Sequence, residues 1–341
     1  MFKKIITVFL SALLLLGAAF AHADAKKHIV CSSFPYYDFT MNILGEKAQD
    51  FDVEILQDSG MDLHNFQPSA QDFVKLYSAD LFIYNGGPSE AWGDEAAKTL
   101  KQSNAAAVNL VDSLGDSVKM AEMVEGMEPH DHDHEHDHDH EHEHEHDHDH
   151  EHEHDHEHDH DHEHEDEHIW LSLKNAKAIC EIIAENIIRL DPENEEIYKN
   201  SLDSYISQLD SLDNLYNETV ENAKLNTLLF ADRFPFRYMV DDYQLEYFAA
   251  FSGCSAESEA SFETVAFLAE KLSELKLPCV IVLDGSTKDI AKAVINAANS
   301  NDTKILTLDS MQTISRADID GSASYLSIME ENLETLKKAL N

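Results

Sequence analysis

The chain has 341 residues, enough for two domains of ordinary size, and a formal net charge of −43 at pH 7. Of its 67 acidic residues, 20 fall between His130 and His168, where there is no lysine or arginine, which leaves 47 acids against 24 bases elsewhere. An acidic body with an acidic insertion excludes nucleic acid and anionic membrane surfaces as partners and favours cationic ligands.

In chain order, Lys3-Lys4, an apolar run from Ile5 to Phe20 and small residues ending at Ala23 form a secretory signal over residues 1–23. No cysteine follows this run, so there is no lipobox, and the expectation is a periplasmic protein freed from its signal. Strands are expected at His28–Ser33, Phe51–Leu56, Ala79–Asn85 and Ala105–Leu110, with helical segments between them. Leu173 to Leu190 is an amphipathic helix, and a second runs from about Pro192 to Lys224 with apolar residues three and four apart. At 1.5 Å per residue the second spans roughly 45 Å, long for a crossover and suited to a strut between lobes. Leu225–Ala231, Leu245–Phe251, Cys279–Leu283 and Lys304–Leu308 are further strands, with helices near Phe236 and over Phe262–Leu275, Lys288–Asn299 and Ala323–Leu340. The fold class is therefore α/β. An N-terminal lobe over 26–190 and a C-terminal lobe over 225–341 each carry a parallel sheet of about four strands, joined by a helix over 191–224.

The N-terminal lobe is interrupted at about 128–167. There, His130, His132, His134, His136, His138, His140, His142, His144, His146, His148, His150, His152, His154, His156, His158, His160, His162 and His164 alternate with Asp or Glu. Such a run buries no apolar surface and is expected to be a disordered loop. Imidazole suits borderline metals, so the loop reads as a collection of weak auxiliary metal sites.

Ligands in open parallel sheets sit beyond the carboxyl ends of the strands. Collected there are His64 after the second strand, His168 after the fourth strand and the loop, Asp232 after the fifth strand and Asp309 after the last. Two imidazoles and two carboxylates make a donor set that zinc or manganese accepts. Taken singly each has a plainer role: Asp309 as the cap of the turn before Met311, Asp232 as the partner of Arg233. Of the four cysteines, Cys254 is a candidate soft ligand, while Cys31, Cys180 and Cys279 read as buried free thiols. There is no HExxH or GxSxG motif to support a hydrolase.

These segments resemble the zinc/manganese substrate-binding proteins of bacterial ABC importers, whose two lobes are joined by one long rigid helix. The resemblance rests on Phe34-Pro-Tyr-Tyr-Asp38, Asp62-Leu-His64-Asn-Phe-Gln-Pro-Ser69, Ala79–Gly86, His168-Ile-Trp-Leu-Ser172, and Leu308-Asp309-Ser310 with Ser324–Asn332. It implies a non-enzymatic, monomeric binder that delivers zinc, or alternatively manganese, to a membrane permease, with no organic cofactor. The alternative outside importers is a periplasmic zinc buffer working through the loop alone. The resemblance also implies that His64, His168 and Asp309 are ligands. The family's third ligand falls at Ala231, which cannot coordinate, so either Asp232, water or another group takes that place or the site has only three protein ligands.

Overall fold

The computed structural model describes residues 26–103, 105–128, 165–253 and 259–341. The expected signal, the histidine-rich run and Cys254 lie outside the described residues. Two four-stranded parallel sheets are present, with strand orders β2-β1-β3-β4 and β6-β5-β7-β8. The strands are β1 Lys27–Cys31, β2 Phe51–Ile55, β3 Leu81–Tyr84, β4 Ala106–Asn109, β5 Thr227–Phe234, β6 Glu246–Ser252, β7 Cys279–Leu283 and β8 Lys304–Leu308. In the first half the helices are α1 Phe34–Leu44, α2 Ala70–Tyr77, α3 Ala91–Leu100, α4 Leu110–Leu114 and α5 Leu173–Leu190. They continue with α6 Glu195–Glu221, α7 Arg237–Asp242, α8 Phe262–Glu274, α9 Asp289–Ala297, α10 Arg316–Asp320 and α11 Tyr325–Ala339.

The central strands are apolar without alternation because helices cover both of their faces. Every residue of Leu-Phe-Ile-Tyr in β3 and of Cys-Val-Ile-Val-Leu in β7 is buried. Local chemistry sets the helix starts. Ser69 caps α2 in a reciprocal pair with Asp72, and Ser172 accepts from the Asn175 N–H at the start of α5. The expected strand at Leu225–Ala231 runs on to Phe234, because a register shift between Phe230 and Arg233 lets β5 keep pairing with β6.

The long helix begins at Glu195, after Pro192–Asn194 form a separate 3-10 turn. Its buried stripe is Tyr198, Tyr205, Leu209, Leu212 and Tyr216, at helical spacing. It packs on α1, α5 and α11. Its tyrosines tie it to both halves: the Tyr205 hydroxyl donates to Asp38 Oδ2 at 3.2 Å on α1, and the Tyr216 hydroxyl donates to the Met329 carbonyl at 2.7 Å on α11. One hydrophobic core runs from Ile29 through this helix to Leu340, so the halves share an interior on that side. Smaller cores around Phe82 and around Val280 lie under the outer helices. Among the described residues no helix is long and apolar enough to cross a membrane.

Leu209 is fully buried in this stripe, whereas Leu215, on the same helix, is 47% exposed. Leu209→Ala is expected to cost about 2–5 kcal/mol and Leu215→Ala well under about 1 kcal/mol, as measured by denaturant unfolding of the two variants side by side.

Candidate metal site

The loops at the carboxyl ends of the first sheet converge on two imidazoles. His64 sits in a 3-10 turn, Leu63–Asn65, whose cap is Asp62; the Asp62 carboxylate accepts from the His64 N–H at 3.0 Å. His168 opens the turn Ile169–Leu171 and is fully buried. Its segment is pinned on several sides. Asp166 N donates to the Lys119 carbonyl, Tyr238 donates to the Asp166 carbonyl, and Asn85 Nδ2 donates to the Glu167 carbonyl. Two residues on, the Trp170 ring N–H reaches the Ser310 carbonyl of the other lobe at 2.9 Å, and the Tyr325 hydroxyl donates to the Trp170 carbonyl.

The two Nε2 atoms lie 3.2 Å apart. Each ring is held from behind: His64 Nδ1 is 2.7 Å from Ser89 Oγ and 3.6 Å from Glu167 Oε2, and His168 Nδ1 is 2.8 Å from Asp166 Oδ1. A carboxylate cannot donate, so the Asp166 contact places the proton of His168 on Nδ1 and the lone pair on Nε2. Ser89 N–H donates to Glu167 Oε1, which fixes that carboxylate while its Oε2 stays buried without a hydrogen bond. Burial pushes the Glu167 carboxyl above its ordinary range. Burial, followed by the neighbouring His168, lowers the His64 pKa to about 4, so this ring is neutral at physiological pH. Two glycines admit these groups. A Cβ on Gly87, at φ +77°, would lie 2.6 Å from Glu167 Oε1, and one on Gly253 would lie 3.0 Å from His168 Cε1.

The second lobe meets the pair through Gln312. Its Nε2 is 3.0 Å from His64 Nε2 and 3.1 Å from His168 Nε2, and its Oε1 is buried without a hydrogen bond. Three nitrogens about 3 Å apart match the edge of a tetrahedron around zinc, about 3.3 Å for Zn–N bonds of 2.0–2.1 Å. Which amide atom faces the rings is an assignment from hydrogen bonding; turning the amide over offers its oxygen to a cation at the same place.

Each of the two aspartates accepts backbone hydrogen bonds. Asp309 Oδ1 accepts from the Met311 N–H at 2.7 Å, while its backbone is clamped by Asn332. That is the turn-capping role: Met311 sits at φ +60°, and the bend it makes aims Gln312 at the imidazoles. Burial, then Asp284, raises the Asp309 pKa to about 7. Asp284 holds the same loop by accepting from Ser310 N and Oγ and from Thr313 Oγ1. Asp232 accepts from Arg233 N at 2.9 Å and from Leu283 N at 3.2 Å, two amides exposed by the irregularity in β5. Among the described residues, no third histidine, cysteine or carboxylate joins the two Nε2 atoms in a group within 4.8 Å. Arg233 pairs with Asp62 across the lobes at 2.7 Å, not with Asp232. Burial pushes Asp62 up, but Arg233 and the His64 N–H outweigh it and hold the carboxyl below its usual range.

Gln312, Asp166, Glu167 and Ser89 were not legible as site residues. Gln312 lies three positions beyond Asp309, and Asp166 and Glu167 look like the tail of the alternating run. Cys31, Cys180 and Cys279 are free and buried, and burial pushes the Cys31 and Cys279 thiols up to about 12, unsuited to metal capture.

The comparisons with known proteins follow the same outline. The family model described as "Zinc-uptake complex component A periplasmic" (ZnuA) matches residues 29–339. The chain is 29% identical over 324 residues to the high-affinity zinc uptake system protein ZnuA of Bacillus subtilis (strain 168), covering 95% of this chain and 90% of that one. It is 28% identical to the zinc-binding lipoprotein AdcA of Streptococcus pneumoniae, of which it spans 56%. Among solved structures, the metal-dependent lipoprotein YcdH of B. subtilis superposes with a TM-score of 0.69 at 25% identity, covering 92% of this chain and 99% of that one. The Zn(II)-bound ZnuA-like domain of S. pneumoniae AdcA shares the fold at a TM-score of 0.67 and 24% identity, covering 93% of this chain and 99% of that domain. These names correct one expectation. AdcA and YcdH are lipoproteins, so the reading of a protein with no lipid anchor does not hold, while an extracytoplasmic location is that of the family. With nearly its whole described length matched, the chain belongs to the ZnuA family of zinc-uptake substrate-binding proteins.

Proposed function

We propose that this chain, as a monomer, binds a divalent transition metal, zinc in preference to manganese, as cargo between its lobes and hands it to the membrane permease of an ABC importer. The observation that carries the reading is the 3.2 Å approach of two Nε2 atoms whose rings are braced at Nδ1 by Asp166 and Ser89. Carboxylate-backed histidines are the usual way to orient and strengthen a metal ligand. In this reading His64 and His168 are ligands and the Gln312 carbonyl oxygen is the third donor. Asp309 and Asp232 shape the loops that present them. Imidazole suits zinc better than manganese. The alternating histidines upstream of His168 act as a loose reservoir for the same ion.

Delivery follows from the division of donors. The imidazoles come from one lobe and the amide from the other, so a small parting of the lobes removes a donor and weakens the hold.

Zinc titration tests the assignment. The full chain is expected to show one tight site and several weak ones. Deleting residues 130–164 removes only the weak class, and the His64→Ala/His168→Ala pair removes only the tight one. Loss of the tight site on deleting the loop would leave a buffer acting through that loop. Asp166→Asn is expected to weaken the tight site about 10–100-fold, because it takes the brace from His168 without touching the metal.

Acid sensitivity of the metal-free chain gives a separate check. The His64 pKa of about 4 in the folded chain lies below the unfolded value of about 6.5. The unfolded chain therefore takes up this proton first. Stability from this group is complete above the unfolded value and declines as pH falls from there toward the folded value. Thermal melts between pH 7 and pH 4.5 are expected to fall more steeply for the wild type than for His64→Gln.

A further inference from the structure

A second group of metal-binding side chains lies at the other end of the first sheet. His28 on β1 and Asp52 and Glu54 on β2 each place a ligand atom within 4.8 Å of the others. The register explains the meeting. His28 is paired with Asp52 in the parallel ladder, and Asp52 and Glu54, two apart, share a face of the strand.

Behind the ring, Ser78 Oγ donates to the Lys75 carbonyl at 2.8 Å and lies 3.3 Å from His28 Nδ1. The other ring nitrogen is Nε2. That atom is closed off from solvent and has no hydrogen-bond partner. It faces Glu54 Oε1 at 3.6 Å, beyond hydrogen-bond length. The other Glu54 oxygen is engaged by Lys75 Nζ at 3.3 Å, which also lies 3.8 Å from Asp72. A buried ring nitrogen that faces carboxylate oxygens without a hydrogen bond calls for a cation between them, a proton or a metal ion.

We propose that His28, Asp52 and Glu54 form a second site for a borderline divalent cation such as zinc, distinct from the cleft. One imidazole and two carboxylates are a donor set that zinc accepts, and Asp52 is exposed, which leaves a side open to water and to exchange. His28 lies three residues before the end of β1, about 10 Å along the strand at 3.3 Å per residue. The cleft begins beyond that end, so one ion cannot serve both places.

The test is anomalous diffraction above and below the zinc edge from crystals of the full chain equilibrated with zinc chloride. The expected result is a peak about 2.0–2.1 Å from His28 Nε2, in addition to any in the cleft. His28→Gln is expected to abolish it and leave the cleft peak unchanged, and the exposed Asp52→Asn to weaken it if the glutamine variant does not fold. The His64→Ala/His168→Ala chain is expected to keep it, which separates this site from the cleft reading. The proposal is overturned by the absence of a peak at His28 in the wild type, which would make the cation a proton on an imidazolium paired with Glu54. It is equally overturned by a peak that survives His28→Gln, or by one completed by a side chain of a neighbouring molecule.

Discussion

Two imidazoles held with their Nε2 atoms 3.2 Å apart are the constraint around which this molecule is arranged. Two ring nitrogens this close in a buried place need a proton or a cation between them. The fold holds the rings from behind and from in front. Behind, Asp166 and Ser89 hold the Nδ1 edges, with the Glu167 carboxylate near that of His64. In front, the Gln312 amide touches both rings and stands where a cation would make the same contacts with greater strength.

That amide is neutral, and it comes from the other lobe. The donors facing the ion would then be uncharged, with the negative charge of Asp166 and Glu167 kept one shell out. Such a set gives geometry-dependent hold without the larger attraction of a coordinated carboxylate. The second lobe contributes in other ways too. Ser310 accepts from Trp170, Gly253 lets its backbone approach the His168 ring, and Arg233 reaches Asp62 at the base of the His64 turn. Each is a contact between lobes near the imidazoles, so the closed arrangement and the intact site are the same state. The long helix ties the opposite side of the molecule together through Tyr205 and Tyr216.

The aspartates show how a loop residue at a strand end can hold its loop through backbone hydrogen bonds. Asp309 caps the bend at Met311, and Asp284 ties down Ser310 and Thr313; together they determine where Gln312 points. Asp232 satisfies amides that the β5 irregularity would otherwise leave open. Both stand at strand ends, as ligands would. Whether such a carboxylate binds metal or backbone depends on which donors its neighbours expose, and that is decided by tertiary contacts.

The alternation of strands and helices, the bounds of α5, β7 and β8 and the long strut were legible in the sequence, which also singled out His64 and His168 as candidates. These are read from local quantities: apolar spacing, capping serines, a proline before a helix, and a histidine directly preceding an apolar turn. Tertiary contacts set what surrounds those histidines. The place of Gln312 depends on a left-handed bend at Met311 and on a loop clamped from Asp284 and Asn332, contacts between residues more than 20 positions apart. The role of Asp166 depends on where its carboxylate falls against a ring two residues on, which a run of alternating acids and histidines cannot express. Periodicity fixes which face a residue occupies; the partner it meets there is set by the packing of distant segments.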